Sequence, residues 1–298
     1  MKTIRYLLGI DGGGTKTEFL LTDINKKPLS RVILGAANPV NTGIDATKKI
    51  LKDGISQVCG NTAPDEISVF AGLAGGGSGN NKAVIKTFLS EFGFGAYDCG
   101  SDTDSALELA LKGSDGVVVI TGTGVAAFSQ QGDTRHRIGG WGYLIDKGGS
   151  GFSLGSDALE CALRHHDGRG GSALLLKLIE NHTKKPLQEC IPDIYSKGTT
   201  YVASFAPIVF EAFEKGDDSA RRILDRNMKE VAQIIDTGCS FLNSEQKKVV
   251  ICGGLCKQKE ILEPFIKKHL TSDCNPVFTT EPMVNGAVSL AEKEIKKC

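Results

Sequence analysis

Residues 8–18 read Leu-Gly-Ile-Asp-Gly-Gly-Gly-Thr-Lys-Thr-Glu, and this stretch decides the fold. Residues 4–10 are rich in aliphatic and β-branched side chains and residues 18–22 are apolar again, which predicts two strands joined by a tight glycine turn. The spacing matches neither the Gly-x-x-x-x-Gly-Lys-Ser/Thr of a Walker loop nor the Gly-x-Gly-x-x-Gly of a dinucleotide fingerprint. A glycine hairpin that binds no ligand is the alternative.

The turn itself has the composition of a phosphate-binding loop. Gly13 and Gly14 lack a Cβ, so their backbone can approach a ligand closely and expose successive N–H groups to an anion. Thr15 and Lys16 add a hydroxyl and a cation. Asp11, at the end of the first strand, is placed to hold a hydrated Mg²⁺ near those phosphates.

Composition limits the class of protein. At 298 residues the chain exceeds the usual size of a single core, which predicts two domain-sized units. Its 35 Lys and Arg balance 35 Asp and Glu, so no net field attracts nucleic acid or an anionic membrane. No apolar run approaches the length of a membrane span, and no basic segment leads into an apolar signal core. We therefore expect a cytoplasmic protein that binds small molecules.

Nine cysteines occur at scattered positions and never in Cys-x-x-Cys spacing, which is typical of reduced thiols. They are Cys59, Cys99, Cys161, Cys190, Cys239, Cys252, Cys256, Cys274 and Cys298. Cys252 and Cys256 flank a glycine pair. Buried thiols are the favoured interpretation there, and a metal or iron–sulfur role is the alternative.

The opening pattern recurs in the middle of the chain. Residues 117–120 and 125–128 are apolar strands on either side of Thr121-Gly122-Thr123-Gly124. This repeat predicts two units of related topology, each offering a loop to the same phosphates. A third glycine turn, Gly253-Gly254, follows a strand over residues 248–252, and α/β proteins bind ligands at such strand ends.

Helical segments fill much of the remaining chain. Residues 43–58 carry apolar side chains at near-helical spacing, and a second helix is expected over residues 81–92. Between them, residues 67–73 are expected to form a buried strand that ends in a glycine turn. Residues 152–245 are predicted to be mostly helical. Asn285-Gly286-Ala287 is expected to lead into a last helix over residues 288–296.

Two carboxylates stand at a predicted helix start. A short strand over residues 97–99 leads to Asp102 and Asp104, and residues 106–110 have strong helix propensity. One of the two carboxylates is expected to cap the helix and complement its dipole. The other is a candidate catalytic base.

Two further loops are open to more than one interpretation. Asn38 precedes a proline, where asparagine is commonly only a turn residue. Trp141 is the only tryptophan of the chain and lies between glycines. A lone tryptophan is more often a core anchor, whereas flanking glycines favour a pocket wall.

Taken in order, these motifs resemble one family, the N-acetylglucosamine kinase group of the BadF/BadG/BcrA/BcrD-type ATPases, within the sugar kinase, actin and heat-shock chaperone superfamily. The resemblance covers nearly the whole chain. Its carriers are Asp11 to Thr17, Asn38-Pro39, Ser101-Asp102 with Ala106-Leu107, Thr121 to Gly124, Gly139 to Tyr143, Gly253-Gly254 and Asn285-Gly286-Ala287.

The resemblance implies an α/β fold of two ribonuclease-H-like lobes, the actin-like ATPase fold, with ATP and sugar in a cleft between them. It implies an N-terminal lobe over residues 1–112, joined by a C-terminal helix over 286–298, and a C-terminal lobe over 113–285. The ATP-binding residues would be Gly13, Gly14, Thr15, Lys16, Gly122, Thr123, Gly124, Gly253 and Gly254. The sugar-binding residues would be Asn38, Asp102, Gly140, Trp141 and Gly142, with Asp102 also the catalytic base.

The chain departs from the family pattern after Tyr143. The family usually reads two apolar residues and then Gly-Asp-Glu-Gly-Ser, whereas residues 144–150 read Leu-Ile-Asp-Lys-Gly-Gly-Ser. Asp146 is therefore one residue early, and Lys147 takes its place. Either Asp146 reaches the sugar from a shifted backbone, or the substrate differs from plain N-acetylglucosamine. In the second case Lys147 would contact a carboxylate on the substrate; the alternative is that Lys147 points to solvent or pairs with Asp146.

We therefore predict a kinase that uses ATP and Mg²⁺ to phosphorylate an amino sugar, N-acetylglucosamine or N-acetylmuramic acid, at the 6-hydroxyl during cell-wall sugar recycling. The alternatives are a glucosamine kinase and an ATPase activator of an acyl-CoA reductase or dehydratase. The activator would need a cluster cysteine beside the second phosphate loop, and no cysteine lies between Cys99 and Cys161. A sugar-sensing regulator would normally carry a helix-turn-helix segment ahead of Ile4. The resemblance leaves a homodimer open.

Overall fold

The computed structural model describes residues 3–297, so Met1, Lys2 and the thiol expected at Cys298 lie outside the described residues. The described chain divides into two compact units. Unit 1 extends to Gly113 and resumes at Glu281, and unit 2 is Ser114–Thr280. Among the described residues, no helix is both long enough and apolar enough to span a bilayer.

Strands and helices alternate along the described chain. The strands are β1 (Tyr6–Gly12), β2 (Thr17–Asp23), β3 (Pro28–Leu34), β4 (Ile67–Leu73), β5 (Ala96–Gly100), β6 (Gly116–Thr121), β7 (Val125–Gln131), β8 (Thr134–Ile138), β9 (Val249–Cys252) and β10 (Val277–Thr279). The helices are α1 (Ile44–Cys59), α2 (Asn81–Ser90), α3 (Asp102–Leu111), α4 (Gly151–His166), α5 (Ala173–Thr183), α6 (Ile191–Ser196), α7 (Gly198–Ala203), α8 (Ala206–Glu214), α9 (Asp218–Ser240), α10 (Lys259–His269) and α11 (Val284–Ile295).

Unit 1 is built on a five-stranded sheet in the order β3-β2-β1-β4-β5. Neighbouring strands among β1, β2 and β3 are antiparallel, whereas β4 runs parallel to β1 and β5 parallel to β4. Successive side chains of β1 point to opposite faces of the sheet and so enter two separate hydrophobic clusters. Leu8 and Ile10 pack with residues of α1 and α2, whereas Leu7 packs against α11. Both faces of the central strands are buried, which explains why β1 and β4 are nearly continuous apolar runs.

Unit 2 repeats this strand order as β8-β7-β6-β9-β10, with β6 in the place of β1. β6 pairs antiparallel with β7 and parallel with β9. The repeated topology predicted from the two Gly/Thr turns is confirmed. The main difference is an insertion, because helices α4 to α9 lie between β8 and β9, in the region predicted to be mostly helical.

The structure differs from the sequence predictions at the last helix and at two strands. The predicted helix start at Val288 is wrong, because α11 begins at Val284 and contains Asn285-Gly286-Ala287. Gly286 serves close packing instead of a turn, since a Cβ there would lie 1.9 Å from the Ser105 carbonyl oxygen of α3. The strands β8 and β10 are absent from the predictions, because they are short edge strands whose residues are exposed or half-buried.

Candidate active site

The parallel strands of unit 1 bring the predicted acidic residues to one edge of the sheet. The register aligns Asp11 of β1 with Gly72 of β4, and Gly72 with Gly100 of β5. Helix α3 begins at Asp102, two residues beyond Gly100. Asp11 and Asp102 consequently lie close enough for their charges to interact. The carboxyl ends of parallel strands are the usual position of ligands in α/β proteins.

Asp11 has an unusual ionisation for an aspartate. Burial, followed by the negative charges of Asp102 and Glu18, raises its pKa from 3.8 to about 7, although Lys16 acts in the opposite direction. Negative charge at this edge is therefore not fully compensated by the protein. A bound cation would compensate it.

Magnesium fits this environment by its chemistry. Mg²⁺ prefers oxygen donors and is usually held by one or two carboxylates together with waters and substrate phosphates. Among residues 3–297, no group of three or more His, Cys, Asp or Glu side chains is arranged to hold a metal. The surroundings of Asp11 thus suit an ion that is shared with phosphates better than one held by protein side chains only.

The two carboxylates at the start of α3 differ in their contacts. Asp104 completes a capping box, because its Oδ2 accepts hydrogen bonds from the Ser101 backbone N–H at 2.8 Å and from the Ser101 hydroxyl at 2.9 Å. Its own N–H donates to Ser101 Oγ at 3.2 Å. The prediction that one carboxylate caps this helix is confirmed. Asp102 instead accepts from the Thr103 N–H at 3.0 Å and interacts with Asp11, so it is the candidate base of the pair.

Asn38 is buried and has the turn role that asparagine commonly has before proline. Its Oδ1 accepts hydrogen bonds from the backbone N–H groups of Val40 at 3.0 Å and Asn41 at 3.1 Å. These contacts fix the orientation of the side-chain amide. A contact between this amide and a sugar stays a prediction.

A glycine turn after β4 adjoins the Asn38 loop, and the sequence pattern had given it no functional role. A Cβ at Gly75 would lie 3.0 Å from Asn38 Oδ1, and one at Gly76 would lie 2.6 Å from the Gly100 carbonyl oxygen. The turn therefore fits closely between that loop and the end of β5. The available signal was three consecutive glycines at the end of a buried strand.

The first glycine turn has free space around part of its backbone. The Gly13 N–H donates to the Lys16 carbonyl oxygen at 2.9 Å. A Cβ at Gly14 would meet no atom within 4 Å, and Thr15 is exposed. Packing therefore does not require glycine at position 14, whereas a ligand that approaches the backbone there would require it.

The corresponding turn of unit 2 is tied to the start of α4. The Gly122 carbonyl oxygen accepts from the Gly151 N–H at 2.8 Å, and the Thr123 carbonyl oxygen accepts from the Phe152 N–H at 3.0 Å. A Cβ at Gly122 or Gly124 would meet no atom within 4 Å. The turn is thus fixed from one side and has open space at its glycines.

Gly253 and Gly254 follow β9 beside this turn, but for different reasons. Gly253 has φ +108°, and a Cβ there would lie 2.1 Å from the Thr121 carbonyl oxygen, so the fold requires glycine. A Cβ at Gly254 would meet no atom within 4 Å. At Gly254, as at Gly122 and Gly124, packing within the protein therefore does not explain why the residue is glycine.

Trp141 lies on the surface of unit 2, so the core-anchor interpretation is wrong. It is 62% exposed, and the Arg137 guanidinium lies 4.4 Å from its ring centroid. Arg137 also donates to the carbonyl oxygens of Gly139 and Gly140, which holds the glycine turn. No sequence pattern marks Arg137, because its role depends on the unpredicted strand β8.

Asp146 and Lys147 separate in the structure. Asp146 Oδ2 accepts a hydrogen bond from the Trp141 N–H at 3.0 Å, so this carboxylate closes the loop that carries the tryptophan. Lys147 is exposed. It lines a cavity of about 520 Å³ whose charged lining residues also include Asp157, Glu160, Arg226 and Glu230.

Two α/β units of one strand order, each with a glycine turn after its first strand, define the fold of the actin-like ATPases. A model of the BadF/BadG/BcrA/BcrD ATPase family matches residues 8–288, and the chain belongs to this family.

Three similar proteins come from different organisms. An N-acetylmuramic acid/N-acetylglucosamine kinase from Clostridium acetobutylicum is 30% identical over 305 aligned residues, which cover 98% of this chain and 99% of the relative. An N-acetyl-D-glucosamine kinase from Dictyostelium discoideum is 29% identical over 286 residues, covering 88% of this chain and 89% of the relative. The crystal structure of a Porphyromonas gingivalis protein, provisionally assigned as an N-acetylglucosamine kinase, is 18% identical with a TM-score of 0.79, covers 98% of this chain and 100% of its own, and supports the fold.

Proposed function

We propose that this chain is an ATP-dependent kinase that transfers the γ-phosphoryl group to the 6-hydroxyl of an amino sugar, N-acetylglucosamine or N-acetylmuramic acid. The observation that carries the proposal is the interaction of Asp11 with Asp102 at the sheet edge of unit 1, where Lys16 also acts on Asp11. Phosphoryl transfer needs positioned phosphates, neutralised charge and one carboxylate to accept the hydroxyl proton. The names of both curated relatives include N-acetylglucosamine, which supports the sugar class.

In unit 1, Asp102 accepts the proton of the attacking hydroxyl. Gly13 closes the turn through its N–H, and the Gly14 backbone with the side chains of Thr15 and Lys16 binds phosphate oxygens, which the free space at Gly14 supports. Mg²⁺, contacted by Asp11 through water, would neutralise charge on the phosphates. Asn38 binds the sugar through the part of its side chain that the turn does not use.

In unit 2, the turn Gly122-Thr123-Gly124 binds phosphate and Gly253-Gly254 faces the adenosine. The open space at Gly122, Gly124 and Gly254 supports this assignment, because packing does not explain those glycines. Trp141, flanked by Gly140 and Gly142, offers an exposed aromatic face on which the apolar face of a sugar can pack. Asp146 positions that loop and binds the sugar with its remaining acceptor capacity.

The test is a coupled ADP-release assay with the purified chain, MgATP and a panel of N-acetylglucosamine, N-acetylmuramic acid, glucosamine, N-acetylmannosamine and glucose. We expect turnover with one or both N-acetylated sugars and a phosphomonoester at the sixth carbon by NMR. Turnover restricted to glucosamine would contradict the proposed substrate class. Absence of sugar-dependent ADP release, together with stoichiometric iron and sulfide in protein purified without oxygen, would favour an activator instead.

A further inference from the structure

Glu18 is a buried carboxylate beside the first glycine turn that the proposed mechanism does not use. Its side chain is 6% exposed, whereas those of Lys16 and Arg31 are 61% and 52% exposed. The Arg31 guanidinium lies 2.7 Å from Glu18 Oε1, and Lys16 Nζ lies 3.8 Å from Glu18 Oε2. We call these three residues the Glu18 triad.

The sheet register explains why Glu18 needs a partner. Glu18 lies directly opposite Asp11 in the antiparallel β1–β2 ladder, so the two side chains share a face of the sheet. Like charges in this position repel, and Glu18 contributes to the raised pKa of Asp11. Arg31 lies opposite Leu20, two residues along β2 and therefore on the same face. Its guanidinium compensates a charge whose burial would otherwise be costly.

The two cations of the triad differ in how tightly they are held. The Arg31 guanidinium forms the closer ion pair, at 2.7 Å, although no hydrogen bond within the described residues reaches Glu18 Oε1. The Lys16 distance of 3.8 Å exceeds a hydrogen bond, so the ammonium is attracted to Glu18 but keeps its donors available. An exposed four-carbon side chain loses conformational freedom when it binds, and prior electrostatic restraint reduces that loss.

We infer that Glu18, held in place by Arg31, positions Lys16 so that its ammonium meets a phosphate of ATP. Glu18 and Arg31 are positioning residues, because they act through Lys16 and do not touch the nucleotide. The inference rests on the proposed function, since its ligand is the polyphosphate of ATP.

A double-mutant cycle on the full-length chain tests the inference. The measurement is the Kd of a nonhydrolysable ATP analogue with Mg²⁺, by isothermal titration calorimetry. Lys16→Met removes the ammonium, and Glu18→Gln keeps the side-chain shape while removing its charge. We expect Glu18→Gln to weaken binding about fivefold in the wild-type background and less than about twofold in the Lys16→Met background.

Two further variants control for folding. Glu108 is also buried in unit 1 and lies 2.5 Å from Lys293, so Glu108→Gln removes a similar charge away from the turn and is expected to change binding in neither background. Arg31→Met changes a half-exposed side chain and is expected to fold. It should weaken analogue binding only while Lys16 is present, because Glu18 without Arg31 draws the ammonium toward itself.

Kinetics provide a second measurement. We expect the KM for ATP of Glu18→Gln to rise while the KM for the sugar stays unchanged. The inference is overturned if Glu18→Gln weakens analogue binding equally in both backgrounds, or if it tightens binding. If the wild-type chain does not bind the analogue, the proposed function fails and the inference with it; binding without coupling in the cycle contradicts the inference alone.

Discussion

The glycine turn between β1 and β2 and the one between β6 and β7 occupy the same place in two sheets of the same strand order, but they differ in charge. The first is surrounded by Asp11, Lys16 and Glu18, whose charges influence one another. The second contains only threonine and glycine, and its carbonyl oxygens are held by the start of α4. The two units thus have similar backbones at these turns, but only the first turn is surrounded by charged side chains.

The charged edge of the unit 1 sheet, where Asp102 lies near Asp11, should control the rate of the reaction. Asp102→Asn removes the proposed base, so we expect kcat to fall by about 10²-fold or more with little change in ATP affinity. The measurement is steady-state kinetics with N-acetylglucosamine, together with the Kd of an ATP analogue.

Asp104→Asn is the matched control for that prediction. It alters the capping box, so we expect a loss of about 0.5 to 2 kcal/mol in the free energy of unfolding while kcat changes little. An inactive Asp104→Asn variant beside an active Asp102→Asn variant would show that Asp104, and not Asp102, is the base.

Lys147 is a charge of unit 2 that the comparison leaves without a role. If it contacts the lactyl carboxylate of N-acetylmuramic acid, Lys147→Met should lower kcat/KM for that sugar about tenfold and leave N-acetylglucosamine nearly unchanged. Lys229→Met, at an exposed position on α9, is the control. An equal change in kcat/KM for both sugars would show that Lys147 does not contact the substrate carboxylate. The carboxylates that line the same cavity are alternative partners for the lysine.

In the uncharged turn, added side-chain volume should weaken ATP binding. Gly122→Ala places a methyl group where the protein leaves free space, so we expect an unchanged melting temperature and a KM for ATP raised several-fold, about five times. Gly253→Ala should instead destabilise unit 2 by more than about 2 kcal/mol, because its Cβ would collide with the Thr121 carbonyl. Normal ATP kinetics in a folded Gly122→Ala variant would remove the reason for placing phosphate there.

The raised pKa of Asp11 predicts a pH-dependent stability without ligands. A carboxyl whose pKa is about 7 when folded and near 3.8 when unfolded contributes stability below pH 3.8 that is lost as the pH rises through 7. Asp11→Asn should therefore raise the melting temperature by about 3 °C or more at pH 8.5 and hardly at all near pH 4.

Asp98, also in unit 1, has a lowered pKa, so its effect on the pH dependence of stability is opposite to that of Asp11. Burial works against its ionisation, but the Lys86 ammonium 3.0 Å from Asp98 Oδ1 and the hydrogen bond from the Cys99 backbone outweigh burial and lower its pKa. Its contribution is present above pH 3.8 and is lost as the pH falls through the folded pKa, so Asp98→Asn should lower the melting temperature at pH 8.5. Thermal denaturation of both variants at pH 4.5 and 8.5 checks the two signs, and a destabilised Asp11→Asn at pH 8.5 would contradict them.

Much of the scaffold follows from local patterns. β4 was predicted with both of its bounds, Ile67 and Leu73, because a continuous apolar run between polar segments marks a strand buried on both faces. The two glycine turns and their repeat were likewise predictable. The edge strands β8 and β10 were not, since exposed strands leave no hydrophobic period and owe their pairing to a neighbour.

The candidate site was predictable where a motif carries its own chemistry. Asp102 could be separated from Asp104 only partly, because capping depends on the helix start. Glu18 could have been noticed, since a hairpin centred on the first glycine turn places it opposite Asp11. Arg137 could not, because its stacking on Trp141 arises from tertiary placement of a strand without a sequence signal.

The return of α11 to unit 1 has a consequence for biosynthesis. Its residues Val284, Ala287 and Val288 bury Leu7, Leu20 and Phe70, so one face of the first sheet lacks its cover until α11 is made. Unit 2 is continuous in sequence and can complete its own core earlier. On the ribosome the second-made unit is therefore the first able to finish folding, and nascent unit 1 presents an apolar surface for chaperones throughout that interval.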